Sequence, residues 1–391
     1  MEKLARVQFL EPDMKQWRES GVLTFAADAN PTLQTILDWC EQHRAQRAQL
    51  EEALARPQSQ LSTDRLYPFA SDLPNFVAFR AIAQYYGSLC KVHLLMGDAD
   101  AALHDLQMLR RSMDSIQAND PPTLVEAMIK VAIAGLFATT LEETLAEGLW
   151  PDTHIVRVQS WCGVADLHGD VTLSLRGGER AAILREIDTR IKKGKATGLA
   201  EFANAFAGIW KDSQPDFVTL LLWLAVPEGW VDQNKASYAR IMQRLLPGPD
   251  GRNQGLDARS QRALEESHPY TILPLLGIPN FVKASASTLK NNTMLNLTFV
   301  ACTLELHRVA KGAYPDTLAA LVPEFAAKLP NDIYDGQPLR YRRTDDGKYV
   351  LYSIGPNLKD EGGKPDEIVT DARGVTSTKS HDTVWKGVPK K

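Results

Sequence analysis

Most of the chain repeats its hydrophobic positions at intervals of three and four residues, which is the period of an amphipathic α-helix. Residues 32–55 show this pattern clearly, with a long charged face. Thr123 and Glu126 stand at the spacing of a capping box, so a helix is predicted to begin there and to run to Gly148. The other predicted helices are Phe76–Met96, Ala99–Ile116, Asp152–Val164, Gly178–Lys193, Leu199–Leu224, Gln233–Leu246 and Asn280–Lys311.

A glycine turn at Gly97 joins two of these predicted helices. Ala99, Ala102 and Leu106 follow it at helical spacing and resemble the turn and second helix of a tetratricopeptide unit. The period of that repeat does not recur along the chain. We therefore predict an αα-hairpin with tetratricopeptide-like packing inside a larger helical domain.

After Lys311 the pattern changes, because Gly, Pro, Asp and Tyr become frequent and short runs alternate between polar and apolar residues. The runs 339–342 and 349–352 predict two strands of an antiparallel hairpin, joined through 344–347. The predicted fold class is mainly α with a C-terminal α+β module, in which a long helix packs on a small antiparallel sheet. The predicted divisions are an irregular N-terminal segment at 1–30, an α-helical domain at 31–274 and the α+β module with its tail at 275–391.

Four motifs in the C-terminal part occur in a fixed order. They are Gly312-Ala313-Tyr314-Pro315, then Thr317-Leu318-Ala319-Ala320-Leu321-Val322-Pro323, then the stretch from Leu329 to Tyr341, and last Tyr352-Ser353-Ile354-Gly355 followed by Asp360-Glu361-Gly362-Gly363. In this order and spacing they resemble the globular part of the major pseudopilin of type II secretion systems. The resemblance covers about 295–363. The helical part is similar to regions attached to such modules in uncharacterised bacterial proteins.

The resemblance implies a bacterial cell-envelope protein that works by binding or assembly with protein partners. Independently of the resemblance, Gly312 can adopt a positive φ to close the long helix, and Tyr314 is then expected to pack back on the helix or sheet. Asn357 and Gly362-Gly363 are expected to be left-handed residues of a loop. The family begins with a prepilin leader and a hydrophobic assembly helix, and neither is visible in this sequence. Ile333-Tyr334 stands where the family has Pro-Trp. We expect a module that keeps the fold and has a different assembly role.

The last loop of the resembling family implies a calcium site. Calcium takes six to eight oxygen ligands from a loop that can curl around it. This chain offers Asn357, Asp360, Glu361 and Asp366 within one short stretch that also contains two glycines. The carboxylates do not follow the EF-hand spacing. A solvated acidic loop is the alternative interpretation, and no other cofactor is predicted.

Composition narrows the function further. The formal net charge is −4, so the chain has no strong positive field to hold nucleic acid, and nucleic-acid binding is not expected. No run of about 18 to 20 apolar residues is visible, so no membrane span is predicted. The four cysteines lie far apart without a metal-ligand spacing and are predicted to be buried free thiols. One long-range disulfide stays open if the protein is exported, for example to the periplasm.

An enzyme with a site in the helical domain is the alternative function. Glu179 and Arg180 could supply an acid beside a cation, and His168 lies in an Asp-x-His-x-Asp alternation predicted as a loop or strand. The chain has no nucleophile elbow, P-loop or dinucleotide-binding glycine motif. The function predicted from the sequence is therefore a non-enzymatic binding or assembly protein of the bacterial cell envelope with a pseudopilin-like C-terminal module.

Overall fold

The computed structural model of the chain describes residues 33–56, 76–116, 123–162, 166–192, 228–245, 272–365, 367–370, 376–379 and 381–387. The predicted segment 1–30, the helix predicted at Leu199–Leu224 and the predicted calcium ligand Asp366 lie outside these residues.

Helices dominate the described residues. They are α1 (Leu33–Gln42), α2 (Arg44–Leu54), α3 (Phe76–Met96), α4 (Ala99–Asp114), α5 (Leu124–Ala146), α6 (Asp152–Cys162), α7 (Leu167–Arg176), α8 (Gly178–Lys192), α9 (Glu228–Leu245) and α10 (Ile272–Lys311). The strands are β1 (Arg340–Arg343), β2 (Tyr349–Ser353), β3 (Glu367–Thr370), β4 (Thr376–Lys379) and β5 (Thr383–Val384). The predicted fold class, mainly α with a C-terminal α+β module, is confirmed.

The αα-hairpin predicted at Gly97 is formed by α3 and α4. Gly97 has a φ of 85°, a left-handed conformation that glycine adopts without steric cost. Asp98 then caps α4, because its side chain accepts a hydrogen bond from the backbone N–H of Ala101 at 3.0 Å. The local sequence therefore sets both the end of one helix and the start of the next.

Helix α5 lies at the centre of the helical part and contacts α3, α4, α7 and α10. The predicted capping box is confirmed: Thr123 Oγ1 accepts from the Glu126 N–H, and Glu126 Oε2 accepts from the Thr123 N–H. Among the described residues α5 is the one helix that is long and apolar enough to cross a membrane, and half of its most apolar window is buried inside the fold. The core helix of a soluble protein has the same composition, so the predicted lack of a membrane span stays a prediction.

The predicted hairpin of the C-terminal part is formed by β1 and β2, with Arg340 opposite Tyr352 and Arg343 opposite Tyr349. Strand β5 adds to the other side of β2, which gives the order β1-β2-β5. Strands β3 and β4 form a separate antiparallel pair. Helix α10 packs against β2 and β5, so the long helix and the sheet form one α+β unit.

One hydrophobic cluster continues from the helical part into the sheet. It includes Leu106 and Phe137 of the helices, Leu297 of α10, Leu351 of β2 and Trp385 after β5. The C-terminal segment also reaches α5 directly, because the Lys386 N–H donates to Glu142 Oε1 at 2.8 Å. Helix α10 is thus shared between the helices and the sheet.

Two predicted details of the helical part were wrong. The single helix predicted at Thr32–Ala55 is two helices that are separated at His43. The alternation at His168 was predicted as a loop or strand, but it begins α7, where Asp166 accepts from the Gly169 N–H at 2.8 Å and Asp170 pairs with Lys130 at 2.6 Å. The stretch from His168 to Asp170 contains no apolar residue between Leu167 and Val171, and this gap in a short helix conceals the helical period.

In the C-terminal loops the left-handed glycines are as expected, with φ of 81° at Gly312 and 86° at Gly363. Asn357 was also expected in this conformation, but the left-handed residue is Leu358, with φ 57°. Gly355 has φ 68°, and a Cβ there would lie 2.4 Å from the carbonyl oxygen of His381. Glycine is required at that position because the β2 end and the β5 start approach each other closely.

Candidate functional site

A cleft of about 480 Å³ opens where the helical part meets the C-terminal sheet. It lies between the end of α5, the start of α6, the end of α10 and the β1–β2 hairpin. Its lining residues are Leu145, Gly148, Trp150, Asp152, Ile155, Glu305, Arg308, Gly312, Ala313, Tyr314, Arg343, Gly347 and Lys348. A volume of this size suits a small molecule or a few residues of a peptide.

The two glycine turns shape this cleft. Gly148 ends α5 with φ 62°, and Gly312 ends α10 with φ 81°, so both chains turn away sharply and leave space between them. After Gly312 the chain places Tyr314 back against α10 and β2, where its ring meets Tyr349 edge-on at 4.8 Å. Tyr341 holds the same turn, because its hydroxyl donates to the carbonyl oxygen of Pro315 at 2.7 Å. The packing of Tyr314 agrees with the expectation from the sequence.

Glu305 forms the polar floor of the cleft. Its side chain is only 3% exposed, and both carboxylate oxygens have donors. Tyr314 donates its hydroxyl to Oε1 at 2.5 Å, and Arg308 donates from Nε to Oε2 at 2.7 Å. A buried carboxylate that is paired and hydrogen-bonded in this way has a fixed position.

The groups around Glu305 hold their protons. Burial, and then the Glu305 carboxylate, raise the pKa of Tyr314 above its ordinary value. Burial opposes the charge of Arg308, but the hydrogen bond and charge of Glu305 outweigh it, so the pKa of Arg308 is also raised. Tyr314 thus stays a hydrogen-bond donor and Arg308 a cation through the physiological pH range. Such groups are suited to recognition of a ligand more than to proton transfer.

Cationic side chains outnumber carboxylates among the residues that line the cleft. The lining carries three cationic side chains, Arg308, Arg343 and Lys348, and two carboxylates, Asp152 and Glu305. Arg308 also contacts Asp152 with Nη2 at 3.3 Å, and Arg343 contacts the exposed Asp316 at 2.8 Å. Among the lining residues the three cations exceed the two carboxylates by one, which favours an anionic group in the cleft.

The predicted calcium ligands lie in the loop after β2. The structure brings Asn357 and Glu361 together, with Asn357 Nδ2 donating to Glu361 Oε1 at 2.8 Å. Asp360 faces elsewhere: its Oδ1 accepts from the Tyr352 hydroxyl and the Gly362 N–H, both at 2.9 Å. Within the described part of the chain, no three His, Cys, Asp or Glu side chains form a group suited to a metal ion.

Asp382 organises this acidic loop and was missed by sequence reasoning. It is 1% exposed, and its carboxylate accepts from the backbone N–H groups of Gly363 at 2.7 Å and Lys364 at 3.1 Å. The loop is therefore held by backbone donors around the carboxylate of Asp382, which directly precedes β5. Asp382 is separated from the loop by strands β3 and β4. In the sequence, only the consecutive apolar residues Val384 and Trp385 that follow it could have indicated that it is buried.

The residues of the enzymatic alternative lie in the helical part. Glu179 and Arg180 occupy the first turn of α8, and His168 lies in the first turn of α7. Burial raises the pKa of Glu179 to about 7, and a hydrogen bond from the Leu124 N–H at the start of α5 opposes this shift. The ring of Tyr238, from α9, is buried near Glu179 and Arg180. Burial raises the pKa of Tyr238, the charge of Glu179 raises it further and the charge of Arg180 lowers it.

The cleft itself was not predicted from the sequence. Its residues come from three helices and the β1–β2 hairpin, and they form no motif of known chemistry. One part of the cleft was visible in the sequence. Gly312-Ala313-Tyr314 was predicted as the turn that closes the long helix, but this turn was not predicted to line a cleft.

No family model, curated protein or solved structure matches this chain. The geometry described above is therefore the basis for the functional conclusion.

Proposed function

We propose that this protein is a non-enzymatic binding protein that holds an anionic segment of a partner protein in the cleft between the helices and the C-terminal sheet. The observation that carries this proposal is the lining of the cleft. It combines a fixed, paired floor at Glu305, more cations than carboxylates and apolar walls from Ile155 and Trp150. Groups that keep their protons favour binding over acid–base catalysis.

The chemistry of the cleft suits a peptide that ends in a free carboxylate next to an apolar side chain. Arg343 and Lys348 come from the hairpin and can face a carboxylate at the opening, where charge-assisted hydrogen bonds are strong. Ile155 and Leu145 offer an apolar wall to the adjoining side chain. Capture of a terminal carboxylate is a recurring mode of peptide recognition.

The test uses fluorescein-labelled hexapeptides with leucine at the C-terminus, either as the free acid or as the amide, in an anisotropy titration. We expect the free acid to bind and the amide to bind at least about tenfold more weakly, since one charge-assisted contact is lost. Lys348→Gln should weaken the free acid in the same way. Arg342→Gln is the matched control, because Arg342 lies on the same hairpin outside the cleft. Equal affinity for acid and amide would contradict the proposal.

The cell-envelope location and the pseudopilin-like module belong to the same proposal. They are supported by the order of the motifs from Gly312 to Gly363. These motifs include the glycine turn that closes the long helix and the β1–β2 hairpin. An antibody against the native protein, used on fractionated cells of its source organism, tests the location. Recovery only with cytoplasmic marker proteins would contradict it.

Calcium in the loop after β2 remains a proposal that derives from the resemblance. It is supported by the proximity of Asn357 and Glu361 and by the oxygen Oε2 of Glu361, which is buried and has no hydrogen-bond partner among the described residues. Isothermal titration calorimetry with calcium chloride on the wild type and on Asp360→Ala tests it. An absence of binding heat in the wild type would exclude calcium.

An enzyme with a site in the helical part is the second candidate, and the carboxyl of Glu179 favours it. A pKa of about 7 is close to the value that serves a general acid or base at neutral pH. The test is hydrolysis of chromogenic ester, phosphate ester and glycoside substrates by the wild type and by Glu179→Gln. Activity that is present in the wild type and lost in the variant would replace the binding proposal.

A further inference from the structure

Helices α6 and α10 pack in antiparallel register, and two contacts along their length show this. Asp152 at the start of α6 meets Arg308 near the end of α10, with 3.3 Å between Oδ1 and Nη2. Gln159, two turns later, donates from Nε2 to Thr303 Oγ1 at 2.9 Å. Residue numbers rise along α6 while those of its partners fall along α10. The next position on the same face of α6 after Gln159 lies three residues on, and it is Cys162.

That register places two thiols together. Cys302 precedes Thr303 on α10, and its thiol lies close enough to that of Cys162 for their interaction to raise the pKa of Cys302. Both are buried, with Cys162 3% exposed and Cys302 fully enclosed. Cys162 Sγ also lies 3.3 Å from the carbonyl oxygen of Val158. Cys162 is the last residue of α6, so fraying of one helical turn is enough to uncover it.

The other two cysteines have different neighbours. Cys40 Sγ accepts a hydrogen bond from the Tyr85 hydroxyl at 3.6 Å. Cys90 is fully buried beside the charges of Asp105 and Lys91. Both lie in the helices before α5, away from the α6–α10 contact. They are therefore matched internal controls for any reaction of the α6–α10 pair.

We propose that Cys162 and Cys302 are a thiol pair that a low-molecular-weight disulfide converts to an intramolecular disulfide, which links the end of α6 to the middle of α10. With oxidised glutathione, the thiolate of Cys162 attacks one sulfur and one glutathione thiolate leaves. The thiolate of Cys302 then attacks the sulfur of Cys162 and releases the second glutathione. The two protein thiols lose two electrons and two protons, and these appear in two molecules of reduced glutathione.

The structural result of this reaction is a covalent bond between the helical part and the long helix of the C-terminal module. The closed loop contains more than a hundred residues, so the cross-link restricts the unfolded chain strongly. The interaction with the Cys162 thiol, and then burial, raise the pKa of Cys302. Burial also protects the pair while α6 is intact. The reaction should therefore be slow and should accelerate under conditions that loosen the end of α6.

The experiment uses the full chain, purified with reductant and then incubated with oxidised glutathione in low urea. Free thiols are alkylated, and the protein is digested without reduction and analysed by mass spectrometry. We expect a linked peptide pair that contains Cys162 and Cys302, and a rise in Tm of about 5 °C that dithiothreitol reverses. Cys162→Ala should remove both the linked pair and the rise in Tm, whereas Cys40→Ala should retain them.

Three results would overturn the proposal. They are recovery of both residues as alkylated thiols after oxidation, linkage of either one to Cys40 or Cys90, and glutathione that stays bound to Cys162 without transfer to Cys302. If Cys162→Ala does not fold, the peptide map of the wild type still decides, because it identifies the linked residues directly. The outcome does not depend on peptide binding in the cleft, so the two proposals can fail separately.

Discussion

Each region of the molecule encloses a buried aspartate, and the two are held in different ways. In the helical part, Asp105 accepts from Arg47 Nη2 at 2.7 Å and lies 2.5 Å from His93 Nδ1. In the C-terminal module, Asp332 accepts from the backbone N–H groups of Tyr334 and Ile354, both at 3.0 Å, and from the hydroxyl of Ser353 at 2.8 Å. The two carboxylates are equally buried.

The difference follows from where backbone donors are free. Inside a helix each N–H group is bonded to a carbonyl four residues earlier, so a carboxylate buried between helices must find its donors on side chains. Turns and strand ends leave N–H groups without such partners, so a carboxylate in the C-terminal loops can use them. The helical part therefore depends on side-chain pairs from separate helices, whereas the module depends on its own backbone. The following predictions test this comparison.

The largest effect is expected for Asp332→Ala. Three buried donors lose their acceptor, and the free energy of unfolding should fall by about 3–5 kcal/mol. Urea denaturation of the full chain measures this. Asp335→Ala is the control, because Asp335 pairs with Arg340 in a more exposed position and its loss should cost about 1 kcal/mol. Equal losses for the two variants would show that the backbone donors are not important.

Asp105→Ala should cost less, about 2–3 kcal/mol, since Arg47 keeps a second carboxylate partner in Glu51 at 2.7 Å. A double-mutant cycle with Arg47→Gln should show a coupling above about 1 kcal/mol. Asp100→Ala is the control, because Asp100 is almost fully exposed and should change stability by less than about 0.5 kcal/mol. Additive losses at Asp105 and Arg47 would argue against a side-chain pair.

Glu179→Gln should change the pH dependence of stability. The folded pKa is raised from 4.5 to about 7, so the contribution of Glu179 is fully present below about pH 4.5 and is lost as the pH rises through 7. Because the side chain keeps some solvent exposure, we expect about 1–2 kcal/mol of this loss in the wild type. Glu179→Gln should not show it. Parallel pH profiles for the two proteins, from denaturation between pH 4.5 and 8, would contradict the burial of this carboxyl.

The smallest effect tests a local backbone device within the helical part. Thr123→Ala removes the side-chain acceptor of the capping box on α5 and should cost about 1 kcal/mol. Thr139→Ala is the matched control in the same helix, because Thr139 is exposed and alanine has the higher helix propensity, so stability should rise slightly. Both values come from thermal unfolding. Opposite signs would show that position within the helix, more than residue type, decides the effect.

Several elements could be predicted because their causes are local. The hydrophobic period gave α3 at its observed bounds, and the Thr123–Glu126 spacing gave the start of α5. Alternation and the turn at 344–347 gave the β1–β2 hairpin. The break at His43 and the helix α7 were missed, because a short helix has too few turns for its apolar positions to reveal a period.

The cleft and the buried pairs could not be predicted in the same way. Asp105 and Arg47 are 58 residues apart, and nothing in either segment indicates that they meet. The cleft depends on the meeting of α10 with the start of α6, and Asp382 depends on the return of β5 to the loop after β2. Charge and residue type were visible in these cases, but the distances between groups were not.

The sequence by itself determined the helical character of most of the chain, the change of pattern after Lys311 and the turns at Gly97 and Gly312. These features follow from periodicity and backbone conformation, which act over a few residues. Only the tertiary structure decided which carboxylates are buried, which donors meet them and where a cleft stays open. The physical reason is that burial and pairing depend on distances between segments far apart in the chain, and these are set when the helices pack on α10.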